Sequence, residues 1–226
     1  MSDKVLREQR RLYGANFEVH SDSPQGTFQN DRETQNLRFE RLFRQILPQD
    51  EPVSIHDVGC GVADLHGYLL ERGIQHRYSG SEIVQSMVDV AMSKYPDIEV
   101  FNHDVLKADA PEEYDFVVLS GVFNIPGDVP GSDWVEFCHA MVEKMYAMCR
   151  MGIAFNFLTS YNTYSVDDLS YFDPTKFFDF CIRRLSRFVI LDHGFPLYES
   201  SITVFKPAYI RARYSNDKFA KYFGDD

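Results

Sequence analysis

Two periods alternate along this chain. Short runs rich in Val, Ile, Phe and Tyr at residues 53–58, 77–83, 98–102, 114–120, 151–158, 187–192 and 200–206 predict β-strands, and longer segments with helical apolar spacing lie between most of them. "ADLHGYLLERG" predicts a helix with Gly73 as its C-terminal cap, and "SMVDVAMSKY" predicts one that stops at Pro96. "SDWVEFCHAMVEKMYAMCR" predicts a longer helix capped by Ser132 or Asp133. Its stripe of Trp134, Phe137, Met141, Met145 and Met148 is read as core packing. "DPTKFFDFCIRRL" predicts a helix capped by Asp173, with Pro174 in the first turn. Strands alternating with helices in this way predict βαβ units around a doubly wound parallel sheet, an α/β fold.

Residues 1–50 precede the first strand and read as two helical pieces joined by the turn-rich "HSDSPQGTFQND". They form either a cap over the ligand site or a helix packed on the sheet. The expected organisation is an N-terminal helical cap over 1–50, one ligand-binding domain over 51–206 and a C-terminal tail over 207–226.

Composition narrows the class. The chain has 226 residues, 44% hydrophobic and 25% charged, enough for one core of ordinary size. No apolar stretch reaches the length of a membrane span and the first residues are charged, so a soluble cytoplasmic protein with no membrane partner is expected. Cys60, Cys138, Cys149 and Cys181 show neither a CxxC pair nor metal-ligand spacing, and they read as buried thiols. A formal charge of −11 repels phosphate backbones, so nucleic acid is not the expected partner. No signal for an oligomeric state is present.

The candidate chemistry begins at "HDVGCGVADL", where a strand runs into a glycine-containing turn and then a helix. Such a turn lies at the carboxyl end of a parallel strand, where open α/β sheets bind ligands, and glycines allow close backbone approach there. A dinucleotide fingerprint would require glycine at position 64, which is Asp64, a carboxylate unsuited to a pyrophosphate. The run Asp57-Val58-Gly59-Cys60-Gly61 instead resembles the first motif of class I S-adenosylmethionine-dependent methyltransferases.

Further resemblance follows downstream. Glu82 stands where that family places an acidic residue on the ribose hydroxyls, and Ile83 and Met87 match the apolar positions flanking the adenine. Asp104, followed by Val105, matches the aspartate that binds the adenine amino group. "YDFVVLSGVF", with Ser120, matches the fourth-strand motif facing the sulfonium. The resemblance covers residues 53–206 and implies a seven-stranded sheet with helices on both faces and the last strand antiparallel. It also implies S-adenosylmethionine as cofactor and methyl transfer as the activity. Two departures stand out. Ala63 occupies a position that is often glycine, from which a right-handed backbone or a looser approach is expected. The [ND]-P-P-[YF] motif of nucleobase and glutamine methyltransferases is missing, since residues 120–123 read Ser-Gly-Val-Phe.

The expected acceptor is therefore a small molecule methylated on oxygen or nitrogen. Phe123, Asn124, Tyr161 and Tyr164 are candidates for its pocket, with Tyr171 and His193 as further polar groups near the mouth. No catalytic base is assigned and no metal is expected. Arg38, on the helix "NDRETQNLRFERLF", is the candidate cation for the methionine carboxylate; a surface pairing with Glu33 or Asp31 competes with that role. Two other readings stay open: an NAD-dependent oxidoreductase on a similar fold, and a catalytically silent partner subunit that binds the cofactor or nothing.

Overall fold

A computed structural model of the chain describes residues 2–47, 49–107 and 114–223. Helix α1 (Ser2–His20), a 3-10 turn (Pro24–Thr27) and helix α2 (Arg32–Phe43) precede the sheet. Then follow β1 (Val53–Val58), α3 (Asp64–Glu71), β2 (His76–Glu82), α4 (Gln85–Lys94), β3 (Glu99–Asn102) and β4 (Tyr114–Leu119). The second half contains α5 (Gly131–Met148), β5 (Cys149–Thr159), β6 (Tyr171–Phe172), α6 (Pro174–Arg184), β7 (Val189–Asp192), β8 (Glu199–Phe205) and α7 (Pro207–Arg213), closing with a 3-10 turn over Asp217–Tyr222.

The main sheet runs β3-β2-β1-β4-β5-β8-β7. Strands β1 to β5 pair in parallel, and β8 lies antiparallel between β5 and β7. This is the mostly parallel seven-stranded arrangement expected. The two-residue β6, which no periodicity could mark, adds a short parallel ladder at the end of β5. Strand order reverses between β1 and β4, and the carboxyl ends of these strands open a crevice where ligands of such sheets bind.

Burial on both sides explains why the central strands read as unbroken apolar runs. Every residue of β4 is buried; Val117 and Leu119 join one core, Phe116 and Val118 the other. The first core receives the α5 stripe: Trp134, Phe137, Met141, Met145 and Met148 are all buried in it. The second receives Phe39, Leu42 and Phe43 of α2 and Leu65 and Leu69 of α3.

Local rules account for most helix ends. Asp173 caps α6 by accepting from the Thr175 N–H at 2.9 Å, with Pro174 next in line, and Asp31 caps α2 by accepting from the Thr34 N–H at 2.7 Å. After α3, Gly73 adopts φ +65 and donates to the Leu70 carbonyl. Helix α5 differs from expectation, because neither Ser132 nor Asp133 caps it. Pro130 stands at the cap, and its carbonyl accepts the Trp134 N–H at 2.9 Å, so the helix already starts at Gly131. The expected C-terminal tail carries α7 instead, whose Tyr209 and Ile210 pack on the second core.

Tyr13 of α1 and Thr27 of the 3-10 turn line this crevice, and Phe39, Leu42 and Phe43 of α2 pack in the second core.

Candidate functional site

The turn from β1 into α3 is left-handed at alternate positions. Gly59 has φ +70, Gly61 φ +55 and Ala63 φ +60. At Gly59 a side chain is also excluded by space, since a Cβ would lie 2.5 Å from Val122 Cγ2. Ala63 corrects the right-handed expectation. It is the residue before α3, fully buried, and its carbonyl accepts the Gly67 N–H as the helix begins. An L-residue held there costs about 1 kcal/mol or more in backbone strain. The turn therefore keeps its hand without the third glycine.

Three acidic groups converge around this turn. Glu82, at the end of β2, is buried; its Oε2 accepts the Gly61 N–H at 3.0 Å, and its Oε1 accepts those of Ile83 and Val84 at 2.7 and 2.9 Å. Burial raises its pKa, and the three amides oppose the rise. Asp57, also buried, accepts the Tyr78 hydroxyl proton at 2.8 Å. Burial, with a smaller contribution from Glu82, pushes Asp57 up to about 7. Asp104 follows β3; its Oδ1 accepts the Leu106 N–H at 2.9 Å, while its buried Oδ2 makes no hydrogen bond among the described residues.

These groups line a cleft of two adjoining lobes, with empty volumes of about 540 and 560 Å³, that share Tyr13, Gly59, Glu82 and Val122. The first lobe is the more polar, with Asp57, Gly61, Asp64, Gln29, Gln35 and Ser120 in its wall, together with Cys60 and Met87. Ile83, Asp104 and Val105 line the second, against Phe137 and Met141 of α5. Nine of the candidate residues therefore meet in one cleft, counting Asp57, Gly59, Cys60, Gly61, Glu82, Ile83, Met87, Val105 and Ser120, and Asp104 makes ten. The Cys60 thiol is buried and held well above its usual pKa by that burial, so it acts as packing.

The cover over the cleft was not legible as such. Tyr13 of α1 stands between the lobes, its ring edge against Phe28 with centroids 5.0 Å apart. Arg10 fixes α1 by donating to the Ile83 carbonyl at 3.0 Å, and Gln9 donates to that of Ile125 at 2.9 Å. Thr27 and Gln29 come from "QGTFQ", which reads in sequence only as a turn. His103, in the second lobe, shares a 3.0 Å hydrogen bond with Ser81.

Asp64 is buried under Arg32 at 2.9 Å and Lys94 at 3.2 Å, and Gln35 donates to it at 3.1 Å. Its charge is thus neutralised inside the wall of the first lobe.

Five of the candidate residues lie outside the lining of both lobes. Arg38 is absent from the lining of both lobes. Its guanidinium donates to Glu199 at 2.5 and 2.6 Å and to Gln29, and pairs with neither Glu33 nor Asp31. Phe123 is fully buried in the first core against Phe155 and Phe177, because the chain turns inward after Gly121. Its ring is core packing, a correction to its reading as a pocket wall. Tyr161 and Tyr164 are 55% and 64% exposed, with ring edges on His193 and Tyr198. Asn124 is half-buried and its carbonyl accepts the Ser170 N–H. Among the described residues, no group of three or more His, Cys, Asp or Glu could hold a metal ion, and no helix is long and apolar enough to cross a membrane.

The geometry suits an adenosyl ligand. A buried acceptor at Asp104 lacks the donor that an adenine amino group carries, and Glu82 presents a carboxylate between the lobes. Comparisons with known proteins point the same way. A family model described as "Methyltransferase domain" matches residues 55–152. A Mycobacterium tuberculosis protein named "Putative methyltransferase Rv1506c" is 37% identical over 165 residues, which span 72% of this chain and 98% of the relative. Among solved structures, magnesium protoporphyrin IX methyltransferase from Synechocystis PCC 6803 with bound SAH superimposes with a TM-score of 0.60 at 12% identity. That match covers 87% of this chain and 99% of the other. Human N-acetylserotonin methyltransferase in complex with SAM gives 0.61 at 14%, covering 86% and 59%. These likenesses of fold, with the close relative and the site geometry, establish that the chain belongs to the class I S-adenosylmethionine-dependent methyltransferases.

Proposed function

We propose that this enzyme methylates oxygen or nitrogen on a small-molecule acceptor, in the cytoplasm. The observation that carries the reading is the cover: Tyr13, Thr27 and Gln29 stand over the cleft beside Ser120 to Val122, a mouth suited to a small acceptor rather than to a duplex or a folded protein surface. The formal charge of −11 works against polyanionic substrates, and the four free, buried cysteines accord with a reducing compartment. The solved neighbours named above, by their names, act on a porphyrin and on N-acetylserotonin, which are small molecules of the kind proposed.

In this reading Glu82 accepts from the ribose, Asp104 Oδ2 accepts from the adenine amino group, and Ile83, Met87 and Val105 form the apolar walls. Asp57 faces the methionine ammonium. When bound, S-adenosylmethionine supplies a methyl group on a sulfonium, open to in-line displacement. The protein's share is to align the acceptor with that methyl and to exclude water, which the backbone of Ser120–Val122 and the cover do together. An amine acceptor attacks without a base. A hydroxyl needs one, and no base is assigned: the tyrosines of the 160–171 loop and His193 lie outside the lining of both lobes.

The test is a screen of metabolite extracts with methyl-labelled cofactor. Label in a small-molecule fraction is expected. Label confined to RNA or to protein would overturn the reading.

A further inference from the structure

An open chain of hydrogen bonds runs behind the cleft, from Gln29 at one end to Gly121 at the other. Glu199, the first residue of β8, is 1% exposed, and Arg38 of α2 is 10% exposed at its side chain. Glu199 Oε1 accepts Arg38 Nε at 2.6 Å and Nη2 at 2.5 Å. Glu199 Oε2 accepts Asn156 Nδ2 at 3.0 Å, and the Oδ1 of the buried Asn156 accepts the Gly121 N–H at 2.8 Å. In the other direction Arg38 donates through Nη1 to Gln29 Oε1. Gln29 and Gly121 both line the first lobe, and they meet across it: a Cβ placed on Gly121 would lie 3.2 Å from Gln29 Nε2.

Stability alone does not explain this arrangement. Burying an ion pair costs desolvation that its attraction often fails to offset, and an apolar pair of similar volume commonly does as well. What the charges add is direction. Each oxygen of Glu199 holds a different donor, and each of those donors holds one side of the cleft. Gly121 has φ +79 and no side chain of its own, so the Asn156 carbonyl is its fixed reference. Gln29 lies in the cover, where the Arg38 fork anchors it from below.

We propose that Glu199 is a positioning residue for methyl transfer: through Asn156 it fixes the Gly121 amide, and through Arg38 it fixes Gln29, so that cover and floor close on the cofactor as one unit. The proposal rests on the assignment of this cleft to the cofactor.

Two variants separate the arms. Arg38→Lys keeps a cation for Glu199 but lacks the fork that reaches Gln29 as well. Glu199→Gln removes the shared anion. Hydrogen exchange and the dissociation rate of S-adenosylhomocysteine are measured for both. Arg38→Lys is expected to speed exchange in residues 25–29 and dissociation by about tenfold, the loss of one hydrogen bond to a charged group, while Gly121 stays protected. Glu199→Gln is expected to release both Gly121 and residues 25–29. Exchange and dissociation equal to wild type in Arg38→Lys would overturn the clamp even if Glu199→Gln fails to fold. Wild-type protein that did not bind S-adenosylhomocysteine would overturn the cofactor cleft, and the clamp with it.

Discussion

Replacing Glu82 by Gln tests how the ribose is held, and the structure sets the size of the effect. A carboxylate offers about four lone-pair sites. Three of them are taken by the N–H groups of Gly61, Ile83 and Val84, with only the Gly61 bond on Oε2. About one site remains, on Oε2, so under the proposed role one ribose hydroxyl would be held strongly rather than both. In Glu82→Gln the amide oxygen can keep Ile83 and Val84, but the NH₂ group then faces the Gly61 N–H and the ribose. Two losses follow, and they need separate assays. Without ligand, a denaturant melt should show about 1–3 kcal/mol lower stability, because the Gly61 amide loses its acceptor. With ligand, calorimetry on S-adenosylhomocysteine and its 2′-deoxy and 3′-deoxy analogues completes a double-mutant cycle. One hydroxyl should show a coupling of about 1.5–3 kcal/mol to residue 82, the value of a hydrogen bond to a charged group, and the other nearly none. If both analogues lose as much affinity for Glu82→Gln as for wild type, Glu82 does not hold the ribose.

Three further outcomes follow from the same cleft. Asp104→Asn should keep the Oδ1 bond to the Leu106 N–H, and with it the stability, while turning a donor toward the adenine amino group; a loss of about tenfold or more in S-adenosylhomocysteine affinity is expected, and unchanged affinity by calorimetry would move the adenine elsewhere. Asp57, raised to about 7, should make binding depend on pH. With an ionised Asp57 required opposite the ammonium, the competent fraction falls from about ten elevenths at pH 8 to about one eleventh at pH 6, so affinity should fall about tenfold, whereas adenosine, which lacks the ammonium, should bind equally at both. The stability of the ligand-free protein has its own sign. The folded protein keeps a proton that the unfolded chain releases near the ordinary value of 3.8, so this contribution is full below about pH 4 and is lost as pH rises to about 7. A thermal melt series in which this contribution is flat over that range would show Asp57 ionised throughout.

Much of the fold was written in local pattern. The central strands are buried on both sheet faces and so read as continuous apolar runs, and the α5 stripe reports one buried side at helical period. Features that depend on very few residues left no period. Strand β6 has two residues and α7 has seven. The α5 start rested on Pro130, whose effect comes through its backbone carbonyl and not through a side-chain cap. Ala63 shows a different limit: residue type biases φ, but the surrounding turn decided it at an energy cost of about a kcal/mol.

The site divides along the same line. Asp57, Glu82 and Asp104 lie at the ends of consecutive parallel strands, so sequence order alone carries them to one edge of the sheet, and their spacing could be read. Arg38 could not be read that way, because its partner Glu199 is 161 positions away and belongs to the one reversed strand. In a parallel βαβ unit the direction of the next strand is given. For β8 both the direction and the register against β5, which sets Glu199 opposite Leu158 and Ser201 opposite Asn156, come from packing of the finished sheet. The same holds for the cover. Tyr13 and Gln29 reach the cleft because α1 docks on Ile83 and Ile125 through backbone carbonyls, acceptors that every residue possesses and that leave no mark on the sequence. The acidic residues of the cleft were therefore legible and those that cover it were not, because the first are set by strand ends and the second by contacts between distant segments.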